Sequence, residues 1–75
     1  MDNKPAEIPV EQEVRVVYTN WKGVTAIRNI IPVRIYFGNN EWHSESQWLL
    51  EALDLDRKAI RTFAMKDIRA WFVKG

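Results

Sequence analysis

Gln47-Trp48-Leu49-Leu50-Glu51-Ala52-Leu53-Asp54 is the stretch on which the fold turns. As a helix it would use good helix formers, with Trp48, Leu49, Ala52 and Leu53 as an apolar stripe. As a strand it would place Trp48, Leu50 and Ala52 on one face and Leu49 and Leu53 on the other. A strand that is apolar on both faces belongs in the middle of a sheet. Periodicity alone leaves the two readings open.

Downstream of it, Asp54-Leu55-Asp56-Arg57-Lys58 is a polar hairpin connection. Ala59–Ala64 then reads as a partner strand, with Ile60, Thr62 and Ala64 alternating against Arg61 and Phe63. Met65–Ile68 has the character of a short helical turn. Residues 69–73 fit a closing strand or a short helix, and the strand is preferred.

Upstream, Glu13–Thr19 alternates with period 2: Val14, Val16 and Tyr18 on one face, Arg15 and Val17 on the other. Asn20-Trp21-Lys22-Gly23 is a turn, with Gly23 supplying a backbone angle that other residues resist. It joins the first strand to a second in a hairpin. The second strand, Val24–Ile31, carries Thr25, Ile27 and Ile31 on one face and Arg28 and Ile30 on the other. Pro32 cannot donate to a ladder and marks a bulge, an edge or a bend. Val33–Phe37 resumes as a further strand, Gly38-Asn39-Asn40 is a turn, and Glu41–Ser46 is a loop or short strand.

The chain has 75 residues, 47% of them hydrophobic, with four Trp and no Cys. That length allows one domain with a marginal core. Trp supplies much buried area per residue and is also enriched at interfaces. Without Cys there is no disulfide, Cys-held zinc, iron–sulfur cluster or thiol catalysis. No apolar run is long enough to span a membrane, and Met1–Pro5 lacks the features of a signal peptide. A cytoplasmic protein is expected. Residues 1–12 hold Pro5, Pro9 and several acids, and are expected to form a flexible acidic tail ahead of a domain at 13–75. Residues 1–13 carry four acids against Lys4 alone, while the rest carries ten basic residues against six acidic. This basic excess suits anionic ligands without amounting to a nucleic-acid signature.

Three elements in order resemble the WYL domain family. They are Val16-Val17-Tyr18 through Gly23, then Arg28-Asn29-Ile30-Ile31-Pro32, then Trp48-Leu49-Leu50-Glu51-Ala52-Leu53-Asp54 followed by Arg61-Thr62-Phe63 and Ile68. Leu49 stands where the family's Trp-Tyr-Leu tripeptide has Tyr, and Ala64 and Asp67 stand at two usually basic positions. The resemblance decides residues 47–54 in favour of a strand. It implies an all-β fold, a small five-stranded barrel of the SH3-like or Sm-like type. It also implies a regulatory, ligand-binding role toward nucleotides or single-stranded nucleic acid. The length leaves no room for the DNA-binding domain that such modules usually control, so a stand-alone version of phage or mobile-element origin is expected.

Arg28 and Arg61 are the first candidates for ligand contact, because a guanidinium grips phosphate bidentately. Both are expected opposite the core face or near its rim. Each could equally be solvated or paired with Glu51 or Asp54. Trp21, with Lys22 and Arg34 as neighbouring cations, could stack a base, or else close an end of the barrel together with Trp42. Trp48 and Trp71 are expected in the core. His43 is a further polar candidate, but a lone His makes no metal site. Ser44 and Ser46 sit in no nucleophile motif, and no glycine-rich phosphate loop exists. The chain is therefore read as a binding module, not an enzyme, with no cofactor and no metal. The alternative is a protein–protein adaptor or a self-associating barrel, since small barrels expose strand edges.

Overall fold

The computed structural model describes residues 12–73, so the expected tail at 1–12 lies almost wholly outside the described residues. The chain forms β1 (Val14–Thr19), β2 (Thr25–Gly38), β3 (Gln47–Asp54), β4 (Ala59–Ala64), a 3-10 turn η1 (Met65–Asp67) and β5 (Ile68–Val73). The five strands make one antiparallel sheet in the order β4-β3-β2-β1-β5. The ambiguous stretch is thus strand β3. It lies between β2 and β4, where Leu49, Leu50 and Ala52 are fully buried.

The stretches expected as two strands, Val24–Ile31 and Val33–Phe37, are one strand. Pro32 does not interrupt it. The register against β3 shifts between Pro32 and Arg34, leaving Val33 as the extra residue of a bulge. A bulge absorbs a residue that cannot donate to the ladder while the strand continues past it.

The sheet is curled. Its two edge strands, β4 and β5, are joined by the three residues of η1. A flat five-stranded sheet would hold its edges roughly 19 Å apart at the usual strand spacing. Three residues in 3-10 geometry advance only about 2 Å each. The curl brings Tyr18 of β1 edge-on to Phe63 of β4, with ring centroids 4.9 Å apart. The Ala64 N–H of β4 donates to Tyr18 Oη at 3.2 Å. No ladder joins β4 to β5 among the described residues, so the sheet is open where the resemblance implied a closed barrel.

The core fills the concave face: Val14, Val16, Tyr18, Ile30, Leu50, Ala52 and Phe63, with Met65 and Ile68 packed against it. Strand pairing sets Val14 opposite Ile30 and Val16 opposite Arg28. The core face of β2 is therefore the one holding Arg28 and Ile30, not the Thr25, Ile27 and Ile31 face. The apolar count misled here, because the partner strand, not β2's own composition, decides which face is covered. Arg61 likewise shares the inner face with Phe63, since they pair with Ala52 and Leu50 of β3. Both arginines thus stand on the core face, half-buried, where they were expected opposite it or near its rim.

Trp48 and Trp71, expected in the core, are exposed. Trp48 does point to the face of Leu50. However, the β2–β3 hairpin runs past the ends of β1 and β4, which reach only Ile30 and Leu49. Out there Trp48 meets Phe37, with ring centroids 5.4 Å apart. Trp71 lies on the edge strand β5, with no ladder beyond it.

Candidate aromatic cleft at the edge of β4

Two asparagine turns of similar construction flank the free edge of β4. In the first, Asn20 Oδ1 accepts from the Lys22 and Val24 amides at 2.9 and 3.0 Å. The Gly23 N–H reaches the Asn20 carbonyl at 2.9 Å. Gly23 has φ of +79°, the left-handed region that a side chain would resist. This turn presents Trp21, which is 85% exposed. In the second, Asn40 Oδ1 accepts from the Trp42 and His43 amides at 3.0 and 2.8 Å. This one presents Trp42, which is 77% exposed. Neither Trp closes an end of the fold. An asparagine that satisfies the amides beyond it fixes a turn locally, so each indole is held out on a braced backbone.

Between the turns lies a cleft of about 340 Å³, lined by both Trp residues, His43 and Arg61, with Tyr18, Asn20, Ile60 and Thr62 completing it. Its floor is the side of β4 that faces away from β3. Tyr18 Oη takes the Ala64 amide there. His43 Nε2 lies 3.3 Å from the Thr62 carbonyl, so this ring nitrogen carries the proton when it donates to that oxygen. Strand alternation turns the Thr62 N–H and both backbone groups of Ile60 toward the same side. The cleft thus combines two indole faces with main-chain donors and acceptors.

Arg61 brings a charge that is already engaged. Its Nη1 lies 3.6 Å from Asp54 Oδ2, and its guanidinium carbon is 5.9 Å from the Phe63 ring centroid. Asp54 is completely buried. Its Oδ1 accepts from the Asp56 and Arg57 amides at 3.0 and 3.1 Å, shaping the β3–β4 turn. Lys22 adds a cation at the rim, with Nζ 5.2 Å from the Trp21 ring centroid.

Of the residues singled out in the sequence, Trp21, His43 and Arg61 meet in the cleft, with Lys22 beside Trp21. Arg34 lies elsewhere. It pairs with Glu51 at 3.3 Å and stacks over Tyr36 at 4.4 Å. Arg28 is not part of the lining. It is half-buried on the concave face, and its Nε is buried without a hydrogen-bond partner. Sequence reasoning offered Asp54 as a possible partner of Arg61, which it is, but missed its burial and its hold on the β3–β4 turn. It also missed the shared role of Asn20 and Asn40. The signal for the second was present, since Asn20-Trp21 and Asn40-Glu41-Trp42 each place an Asx-turn former just ahead of a Trp. Among the described residues no group of His, Cys, Asp or Glu is arranged to hold a metal ion. None of their helices is long and apolar enough to cross a membrane.

These features define a class: a small all-β domain of one curled sheet, with an aromatic cleft at an open strand edge. The chain belongs to the WYL domain family, whose model matches residues 8–73. No curated protein and no solved structure gave a match.

Proposed function

We propose that this chain is a regulatory module that binds a nucleotide or a short single-stranded nucleic acid in the cleft, without catalysing a reaction on it. Membership of the WYL family supports a sensing role. The observation that carries the reading is the pair of exposed indoles held on asparagine turns across one cleft. Two exposed rings lining one cleft make an apolar patch of the kind that marks a binding site, and a base has a face to stack on each. Phosphate contact falls to Lys22 and to whatever capacity Arg61 retains beside Asp54. The finer fold reading, an opened SH3-like or Sm-like barrel, has the curl of the sheet in its support. The site of action is taken as the cytoplasm.

Intrinsic tryptophan fluorescence, titrated with short single-stranded DNA and with cyclic and linear nucleotides, tests this reading. A saturable change that Trp21→Ala and Trp42→Ala weaken supports it, and a flat response across the panel overturns it. With only two cations in reach, the slope of log K against log salt for single strands comes to about −1.4. A second reading, a protein adaptor, rests on the free edge of β5, which carries exposed Trp71, Phe72 and Val73. A salt-insensitive complex with a protein partner would favour it.

A further inference from the structure

The floor of the cleft is a short row of main-chain groups in a fixed order. Thr62 shows which way the row faces, since its carbonyl meets His43 Nε2 at 3.3 Å, on the side away from β3. The Ala64 N–H leaves the sheet on the same side, donating to Tyr18 Oη. Along a strand the N–H and C=O of alternate residues point to one side. Ile60 therefore belongs to this row with Thr62 and Ala64, while Arg61 and Phe63 bond to β3. The cleft of about 340 Å³ opens in front of Ile60 and Thr62, both of which line it.

The row is cut at both ends. On the near side of β4, Lys58 has φ of +54° and lies in the turn from β3, out of the line of the strand. On the far side, His43 meets the Thr62 carbonyl and Tyr18 takes the Ala64 amide. What faces the cleft is the Ile60 N–H, the Ile60 C=O and the Thr62 N–H: donor, acceptor, donor. An added peptide strand draws its affinity from a ladder of main-chain bonds, and three groups make a short ladder. A single planar base needs no more than three, and single-stranded bases are read along their Watson–Crick edges.

The order of the row then selects among bases. Uracil and thymine present acceptor, donor, acceptor, namely O4, N3–H and O2, and meet all three groups. Cytosine and adenine set an amino group beside a ring acceptor. They match the Ile60 carbonyl and one amide, and leave the other amide unpaired. Guanine places two donors side by side, and one of them falls against an amide.

We propose that the cleft selects uracil or thymine through this row: the Ile60 carbonyl accepts the N3–H of the base, and the Ile60 and Thr62 amides donate to its two exocyclic oxygens. The proposal rests on the binding of a nucleotide or single strand in the cleft proposed above.

Tryptophan fluorescence of the full-length protein, titrated with short single strands of one base each, tests it. Oligothymidine and oligodeoxyuridine are expected to bind alike, and about tenfold tighter than oligodeoxycytidine, the low end of what one stranded donor costs. Pyrimidine runs can also be preferred through stacking and flexibility alone, so a change confined to the ring edge decides. A thymine strand methylated at N3 keeps its faces and loses the central donor, and is expected to bind at least about tenfold more weakly than its parent. Thr62→Pro removes the Thr62 N–H at an edge position that gives up no bond to β3, and is expected to abolish the thymine preference, while Thr62→Ala keeps it. Equal affinity for the thymine and N3-methylthymine strands would overturn the proposal whether or not the proline variant folds, and would leave nucleic-acid binding in the cleft standing. No binding by any strand would overturn both readings. Saturable binding of an extended Thr–Val repeat peptide in place of the strands would assign the edge of β4 to an added strand and overturn both as well.

Discussion

Replacing Asp54 with alanine should remove a large part of the stability of this domain, and replacement with asparagine a smaller part. Asp54 is the one fully buried charged side chain among the described residues. Its Oδ1 takes two turn amides, and its Oδ2 faces Arg61 at 3.6 Å. In Asp54→Ala the two amides lose their acceptor, but Asp56 and Arg57 are exposed and water replaces it in part, so each loss costs about 1 kcal/mol. Arg61 loses its counter-charge. Breaking a fully buried pair costs roughly 3–5 kcal/mol, but the Arg61 side chain is 39% exposed, and solvent screening reduces this to about 1 kcal/mol. The total is about 3 kcal/mol, against roughly 4–11 kcal/mol for a whole domain of this length. Asn keeps an acceptor for the amides and gives up only the charge, at about 1 kcal/mol. With a urea m-value of about 1 kcal/mol/M, the midpoint should fall by about 3 M for alanine and about 1 M for asparagine. Equal losses for the two variants would show that the turn amides contribute nothing. A cycle of Asp54→Asn with Arg61→Met that adds to within about 0.3–0.5 kcal/mol would show that the pair is not coupled.

Trp21→Ala and Trp42→Ala should each weaken binding of single-stranded DNA by about 1–3 kcal/mol, as loss of a stacked base does. Both side chains are exposed, so the melting temperature should stay close to that of the parent; a shared loss of stability would return them to a structural role. Tyr18→Phe should cost about 1–2 kcal/mol in urea unfolding, because it strands the Ala64 amide at the edge of β4. Arg28→Met should be close to neutral in stability, within about 1 kcal/mol, because it removes a buried Nε that has no partner. It should also leave nucleotide affinity unchanged, as Arg28 is not in the cleft lining; a drop in affinity equal to that of Arg61→Ala would mean that the ligand reaches across the concave face.

Local chemistry wrote much of this fold into the sequence. The alternation of Val14, Val16 and Tyr18, the turn at Asn20–Gly23 and the helical turn after Ala64 are all short-range patterns, and each is found where the pattern puts it; residues 69–73 fitted strand or helix and are the strand β5. Strand identity for Gln47–Asp54 needed the family resemblance, because eight residues apolar on both sides fit either period. The all-β class and the family followed from the same residues.

Only the tertiary structure decided what those strands cover. Arg28 and Arg61 face inward because Val16 and Ala52 lie opposite them, and no property of their own strands says so. Trp48 is on the core side yet exposed, because its neighbours β1 and β4 end before they reach it. The cleft joins residues 21, 42 and 61, which meet only through the curl of the sheet. Asp54 is buried because strands distant in sequence close over a turn former that would otherwise be solvated. The sequence by itself determined the first strand, the turns and the family, since those depend on neighbours along the chain, while the continuity of β2 past Pro32 did not show in it. Which face is buried, where the sheet stays open and which rings share a cleft depend on the pairing and length of other strands, and only folding sets these.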